Sequence, residues 1–285
     1  MKKKAILLIA FVLLAISCTG RKENGVLLAQ SGGSRNNATP EADFEITQNE
    51  HGTISITGYT GRAKDVVIPE TIEGIRVTHI GNYVFHEKGL TSVTIPNSVT
   101  YIGQHAFSRN QLTSITIPNS VTHISGGAFR YNQLTNVIIP DSVTFISSWA
   151  FSDNQLTSVT ISGSVYQLMG FGNNRLTSIN IPSCVTIFNE AFENNQLTSV
   201  NIPSGVTRIH ERAFRNNQLT SVTIPDSVTR IDRDAFAGNP TINSITIGAN
   251  KDYANHFPHN FESFYQSQNR RAGTYTWSGR LWSVQ

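Results

Sequence analysis

The stretch that decides the fold is LTSVTIPNSVTYIGQHAFSRNQ, Leu90–Gln111, because the chain writes it again and again. Copies begin at Leu112, Leu134, Leu156, Leu176, Leu197 and Leu219, and a degenerate one begins at Ile242. The steps between starts are 22, 22, 22, 20, 21, 22 and 23 residues. A partial copy, VVIPETIEGIRVTHIGNYVF, runs earlier from Val66 to Phe85. Periods of this size mark an array in which each unit is one supersecondary element. No single unit buries its apolar face alone, so the units must stack.

Each column of the repeat has a physical reading. Leu90, Val93 and Ile95 have the spacing of a short strand with its apolar members turned inward. Pro96, Pro118, Pro140, Pro182, Pro203 and Pro225 follow directly, and proline, which cannot donate to a ladder, ends the strand at the same place each time. A second inward pair, Val99 and Ile102, precedes Ala106 and Phe107. The phenylalanine column runs Phe85, Phe107, Phe129, Phe151, Phe171, Phe192, Phe214 and Phe236, and stacked rings there predict a continuous aromatic spine. Asn110, Asn132, Asn154, Asn174, Asn195, Asn217 and Asn239 mark the turn back to the strand, where asparagine tolerates left-handed backbone and bonds nearby amides. With strands about 4.8 Å apart the array should be on the order of 40 Å long.

Two copies are short. Leu168 to Phe171 and Phe188 to Phe192 each lose residues that Ile102 to Phe107 retains. The losses lie between the second apolar pair and the phenylalanine. The expectation is a local pinch near residues 168–192 that leaves the sheet register intact.

The L-x-x-L-x-L spacing is that of leucine-rich repeats, and the unit NQLTSVTIPNSVTxIGxxAF resembles the BspA-like, treponemal-type leucine-rich repeats of bacterial surface proteins. The resemblance covers roughly residues 43–285. It extends to DFEITQNEHGTISITGYTG, similar to that family's N-terminal hairpin, and to FESFYQSQNRRAGTYTWSGRLWSV, similar to its closing segment. The alternation in GTISITGY and GTYTWSGRLW also reads as short hairpin strands. The expected fold is a mainly-β repeat solenoid, a leucine-rich-repeat superhelix with a parallel sheet, irregular or short helical outer turns and β-hairpin caps. The expected organisation is a signal segment over 1–17, a tether over 18–42, a capping hairpin over 43–63, repeats over 64–248 and a C-terminal cap over 249–285.

The leader carries its own message. Lys2, Lys3 and Lys4 precede an apolar run from Ala5 to Ile16, then Ser17 and Cys18. A basic start, a short apolar stretch and a small residue form an export signal, too short for a retained span. LLAISC resembles a bacterial lipobox, which implies lipidation at Cys18 and placement on the outer membrane or cell surface; the alternative is plain secretion with Cys18 incidental. GRKENGVLLAQSGGSRNNATPEAD then reads as a flexible tether, interrupted by Val26, Leu27 and Leu28. Of 22 Lys and Arg against 19 Asp and Glu, three lysines lie in the leader, so 22 − 3 = 19 basic groups face 19 acidic ones in the remainder. That balance makes no electrostatic case for nucleic acid. With Cys18 acylated, Cys184 has no intrachain partner and reads as a small-residue substitution in a column of serines.

Catalytic motifs are absent: no G-x-S-x-G, no H-E-x-x-H, no phosphate-binding glycine loop. His256 and His259 make an H-x-x-H, but Pro258 disfavours a helix there, so no metal and no cofactor is expected. Two outward columns are candidate contact surfaces. One is a sheet face of short hydroxyls, Ser92, Thr94, Ser114, Thr116, Ser158, Thr160, Ser221 and Thr223, with no histidine or carboxylate read among them. The structural reading of that face is simply a solvated strand surface. The other is a variable strip, His79, Tyr101, His123, Phe145, Gln167, Ile187, Arg208 and Arg230, aromatic at one end and cationic at the other. The family resemblance implies a non-enzymatic adhesin that meets a protein partner, a host matrix protein or another cell, and is tied to the membrane by its lipid. No small-molecule substrate is expected. An envelope scaffold for partners of the same cell is the alternative, and ice or crystal-surface binding a minor one.

Overall fold

In the computed structural model the chain is described over residues 38–285, apart from 186, 250, 251, 254–256, 258 and 259. The leader, Cys18, the segment holding Val26–Leu28 and the His256/His259 pair lie outside the described residues. The body is a mainly-β parallel solenoid of about nine turns with almost no helix, as leucine-rich-repeat proteins are.

Each turn carries two extended pieces, and the more continuous ladder runs through the second of them. Ile75–Ile80, Tyr101–Ile102, His123–Ile124, Phe145–Ile146, Gln167–Met169 and Ile187–Asn189 pair in parallel one after another. The leucine-bearing piece forms strands only in places: Asp65–Val67 with Ser92–Thr94, Asn136–Ile139 with Ser158–Ile161, and Ser221–Thr223 with Ser244–Ile247. From sequence the sheet is expected in the leucine-bearing piece. The reason for the difference is that both pieces alternate apolar and polar residues. The proline column marks a turn in either case: Val99, Val121, Val143, Val185, Val206 and Val228 each donate a backbone hydrogen bond to the proline carbonyl three residues back.

The interior is one apolar cluster that runs the length of the array. Phe85, Phe107, Phe129, Phe151, Phe171, Phe192, Phe214 and Phe236 are fully buried. Their rings stack near-parallel, 5.0 to 6.1 Å apart, Phe171–Phe192 being the widest step. Aromatic rings close both ends. Tyr59 and Phe44 from the antiparallel pair Phe44–Gln48 and Ile54–Tyr59 cover Phe85. Phe257 stacks on Phe236 at 4.9 Å, and Phe261 of the short helix Phe261–Ser267 meets Phe257, Tyr275 and Trp282. The antiparallel strands Gly273–Trp277 and Trp282–Val284 complete that end by pairing onto Ser244–Ile247.

The asparagine column is a buried ladder, and it is not left-handed. Asn110 Nδ2 donates to the carbonyls of Phe85 and Phe107, and its Oδ1 accepts from the Leu90 amide. The pattern repeats at Asn132, Asn154, Asn174, Asn195, Asn217 and Asn239. The positive φ belongs to the residue before each one, Arg109, Tyr131, Asp153, Asn173, Asn194, Asn216 and Gly238. A second left-handed column lies at Tyr83, His105, Gly127, Trp149, Gly170, Glu190, Arg212 and Asp234. The asparagine cannot take the left-handed position itself, because its side chain must reach inward to three backbone groups.

The short copies act where the continuous ladder runs. The residues missing after Leu168 and Phe188 directly follow strands of that ladder, and it ends at Ile187–Asn189. Among the described residues, the strand pairing of this ladder resumes at Arg208–Ile209 with Arg230–Ile231 and Asp252–Tyr253. Regular strand pairing is therefore interrupted, but the register is kept, as the sequence leads one to expect. Gln196 N–H donates to Leu176 O, Thr198 N–H to Thr177 O and Phe192 N–H to Ala213 O as in the full-length copies, and the asparagine and phenylalanine columns cross the gap. Gly170 makes the tight connection possible: its φ is +93°, and a Cβ there would lie 2.5 Å from the Ala150 nitrogen and 2.6 Å from the Ser147 carbonyl oxygen. Gly170→Ala should destabilise the chain by about 2–3 kcal/mol, since both the backbone conformation and the space forbid the methyl. Urea unfolding of the two proteins checks it, and coincident midpoints would refute the account.

Candidate interaction surfaces

The variable strip lies on the continuous ladder, one residue per rung in register: His79, Tyr101, His123, Phe145, Gln167 and Ile187. The His79 and Tyr101 rings stand 5.5 Å apart and those of His123 and Phe145 5.7 Å apart. The Tyr101 hydroxyl accepts from Ser125 Oγ at 3.0 Å. Burial, then the nearby His51, lowers the His79 pKa. Arg208 and Arg230 pair with each other on the separate short sheet. Both guanidinium groups converge on one carboxylate, with Nε donating to Asp232 at 2.7 and 2.6 Å. Burial opposes ionisation of Asp232, but the hydrogen bonds from Arg208 and Arg230 outweigh it and hold the carboxyl below its usual range. His210 packs beside them, its pKa pushed down by burial and by Arg208. The ladder interruption thus divides the strip into an aromatic run and an arginine pair.

Ser92, Thr94, Ser114, Thr116, Ser158, Thr160, Ser221 and Thr223 are all exposed along the leucine-bearing pieces. One carboxylate does stand among these hydroxyls, which the sequence reading missed because it comes from the preceding, partial copy. Asp65 accepts from Thr91 Oγ1 and Ser92 Oγ, both at 2.8 Å. Those two hydrogen bonds pull its carboxyl below the usual range, which makes it a poor general base. The face also holds a shallow depression lined by Ile115, Asn119, Asn136, Ile138 and Pro140, where Ile138 is 66% exposed.

A third surface went unread in the sequence. On the outer turns of the N-terminal half, Tyr83, Tyr131 and Trp149 are 51%, 40% and 47% exposed. The Tyr83 ring stacks on His105 at 5.1 Å, and the His105 ring lies over Gly127, where any Cβ would collide with it. Arg109 and Arg130 sit over the Tyr131 ring at 4.8 and 4.5 Å, and Arg130 also reaches the Trp149 ring at 5.3 Å. The missed signal was the turn composition itself, since aromatic residues are foreign to such turns. Cys184 is half-buried, its thiol directed at the Gly163 carbonyl. Among the described residues no three metal-binding side chains converge, and no helix is long and apolar enough to cross a membrane.

Comparison with known proteins fixes the family. The model of the BspA type leucine rich repeat region matches residues 59–170 and 168–267, in six copies. The chain belongs to the BspA-type leucine-rich repeat family. Among solved structures, this BspA-type chain is similar to a leucine-rich repeat protein from Bacteroides ovatus, at 27% identity over 73% of the chain with a TM-score of 0.50. It spans about 64% of the length of that protein. It is also similar to the T. pallidum leucine-rich repeat protein, at 23% identity, with 81% and 95% of the two chains covered and a TM-score of 0.42. A leucine-rich cell surface protein from Faecalibacterium prausnitzii matches at 20% identity, over 85% and 99% of the chains, with a TM-score of 0.41. No functionally curated protein matches. BspA-type and other leucine-rich repeat proteins are typically non-enzymatic scaffolds that mediate protein–protein interaction.

Proposed function

We propose that this BspA-type chain is an exported, lipid-anchored, non-enzymatic protein that adheres through its solenoid to a host matrix protein or another cell. The observation that carries the reading is where the repeats differ. The inward columns hold the same residue types turn after turn, whereas the outward strip changes through Tyr101, His123, Phe145 and Gln167 to Arg208 and Arg230. A scaffold that fixes its interior and varies its exterior suits recognition of one particular surface. The basic and apolar leader ending in Cys18 supports export and anchoring on the outer membrane or cell surface.

Binding of the purified protein to immobilised matrix components and to intact cells tests adhesion, with micromolar or tighter association expected. Metabolic labelling with a radioactive fatty acid tests the anchor, and Cys18→Ser should abolish incorporation. Absence of binding to every matrix component and cell type would end the adhesive reading, and capture of an envelope protein of the same cell by whole-cell crosslinking would replace it with a scaffolding role.

A further inference from the structure

We infer that the outer-turn ridge of Tyr83, His105, Tyr131 and Trp149, with Arg109 and Arg130, is a docking surface for an acidic, carboxylate-bearing segment of a partner protein. The inference deepens the protein-binding reading and rests on it, and it moves the contact from the sheet to the turns.

The first observation is conformational. Tyr83, Tyr131 and Trp149 have φ of 60°, 57° and 60°. Every turn takes this conformation, but bulky side chains disfavour the left-handed region and persist there only where the surrounding structure holds them. The chain supplies its own control. At matching positions of other turns it uses glycine or asparagine at Gly127, Gly170, Asn173, Asn194, Asn216 and Gly238, and polar or charged side chains at His105, Arg109, Asp153, Glu190, Arg212 and Asp234. The solenoid does not need aromatics there, and within these two columns tyrosine and tryptophan occur only in the N-terminal half.

The second observation is that the ridge is held rigid. Arg130 is fixed by Nε donation to Asp153 at 2.7 Å and by donation to the Tyr131 hydroxyl at 3.0 Å. It also lies over the rings of Tyr131 and Trp149. Exposed tryptophan, tyrosine and arginine already ordered in the free protein lose little freedom on binding, which is the character of contact hot spots.

The third observation is the hydrogen-bonding inventory. Stacking turns ring faces toward one another along the axis and leaves edges outward, and ring edges carry the positive end of the quadrupole. The polar groups of the ridge are the Trp149 indole N–H, the exposed Arg109 guanidinium, the His105 imidazole and the Tyr83 and Tyr131 hydroxyls, all able to donate. Of the carboxylates, Asp153 is occupied by Arg130 and Asn173. Glu87 meets Arg109 only at 3.6 Å in solvent, an exchangeable contact. A surface rich in donors and apolar edges is complemented by carboxylates flanked by apolar side chains.

The test uses the full chain and a fluorescently labelled glutamate–tyrosine copolymer as probe, followed by anisotropy. The variant Y131N/W149N places at both positions asparagine, which tolerates this backbone and which the chain itself uses at Asn173, Asn194 and Asn216 in the Tyr131 column, so its melting temperature should equal or exceed the parent's. Its copolymer affinity should fall at least tenfold, and Arg109→Gln alone should weaken binding several-fold. A lysine–tyrosine copolymer should not bind, and dextran sulfate should bind at least tenfold more weakly. Equal copolymer binding by parent and Y131N/W149N overturns the proposal, as does failure of the parent to bind the copolymer or equal affinity for dextran sulfate. Matrix or cell adhesion that survives in Y131N/W149N removes the ridge while leaving the adhesive reading intact. Loss of both together supports the ridge.

Discussion

Asn154→Ala should lower the unfolding free energy by about 2–4 kcal/mol, because four hydrogen bonds meet on one buried amide. Its Nδ2 donates to the carbonyls of Phe129 and Phe151 at 3.0 Å and reaches Ser152 O at 3.2 Å, while its Oδ1 accepts from the Leu134 amide at 3.0 Å. Alanine leaves the Leu134 N–H without a partner, at a cost of about 1–3 kcal/mol when buried, and takes one of two side-chain donors from each of the Phe129 and Phe151 carbonyls. Asn154→Asp should be no milder, since it keeps the acceptor but turns a carboxylate toward three carbonyl oxygens. Chemical denaturation followed by circular dichroism gives the number. A loss below about 1 kcal/mol would mean that water replaces the ladder and that the column is incidental. The neighbouring rung provides a second check. Asn132 and Asn154 both donate to the Phe129 carbonyl, so each single variant leaves it one donor and the double alanine variant, which leaves it neither, should cost more than the sum of the singles.

That column also shows how far the sequence could be read. Repeat phase, inward faces and the aromatic column followed from period and residue type alone, since eight stacked copies reinforce one another. Asn154 was read as a turn residue that bonds backbone amides, and it does. Its left-handed conformation was misplaced by one residue, because asparagine is common both as a left-handed residue and as a buried backbone bridge, and composition alone does not separate the two. The continuous ladder was placed in the wrong half of the turn for a similar reason: Val93/Ile95 and Val99/Ile102 have equivalent apolar spacing, and two-residue strands such as Tyr101–Ile102 leave no alternation to detect.

The surfaces were legible unevenly. Tyr101, His123 and Phe145 stood out because they vary within a fixed frame, and the register brings them into one row. The separation of Arg208 and Arg230 from that row depended on residues that the short copies lack, and a missing residue does not say which ladder it interrupts. Tyr83, Tyr131 and Trp149 were hidden because each lies in a different column or turn of the alignment. Only three-dimensional stacking, with Arg130 over two of the rings, makes them neighbours. Asp65 escaped because it belongs to the partial first copy, whose side chains meet the next rung across a sequence gap of 27 residues.

Phe151→Ala should cost about 3–5 kcal/mol, the range for removing a buried phenylalanine when the surroundings relax only in part. Phe151 is fully buried and stacks on Phe129 and Phe171, both at 5.3 Å. Collapse of the vacated space is opposed from two sides, because the asparagine ladder pins the backbone of the adjoining rungs at fixed spacing. The consequence should differ from that in a globular core. In a stacked array each rung touches only its neighbours, so cooperativity is carried through interfaces, and weakening the two around Phe151 should separate the halves. The expected melt is therefore lower and broader, with the C-terminal half, whose ladder is already interrupted after Asn189, unfolding first. Phe151→Leu, which fills most of the volume, should cost less than about 1.5 kcal/mol and restore a single transition. Hydrogen exchange resolved by peptide would distinguish the two results, and a Phe151→Ala protein that melts as the parent does would show that the ring column does not hold the rungs together.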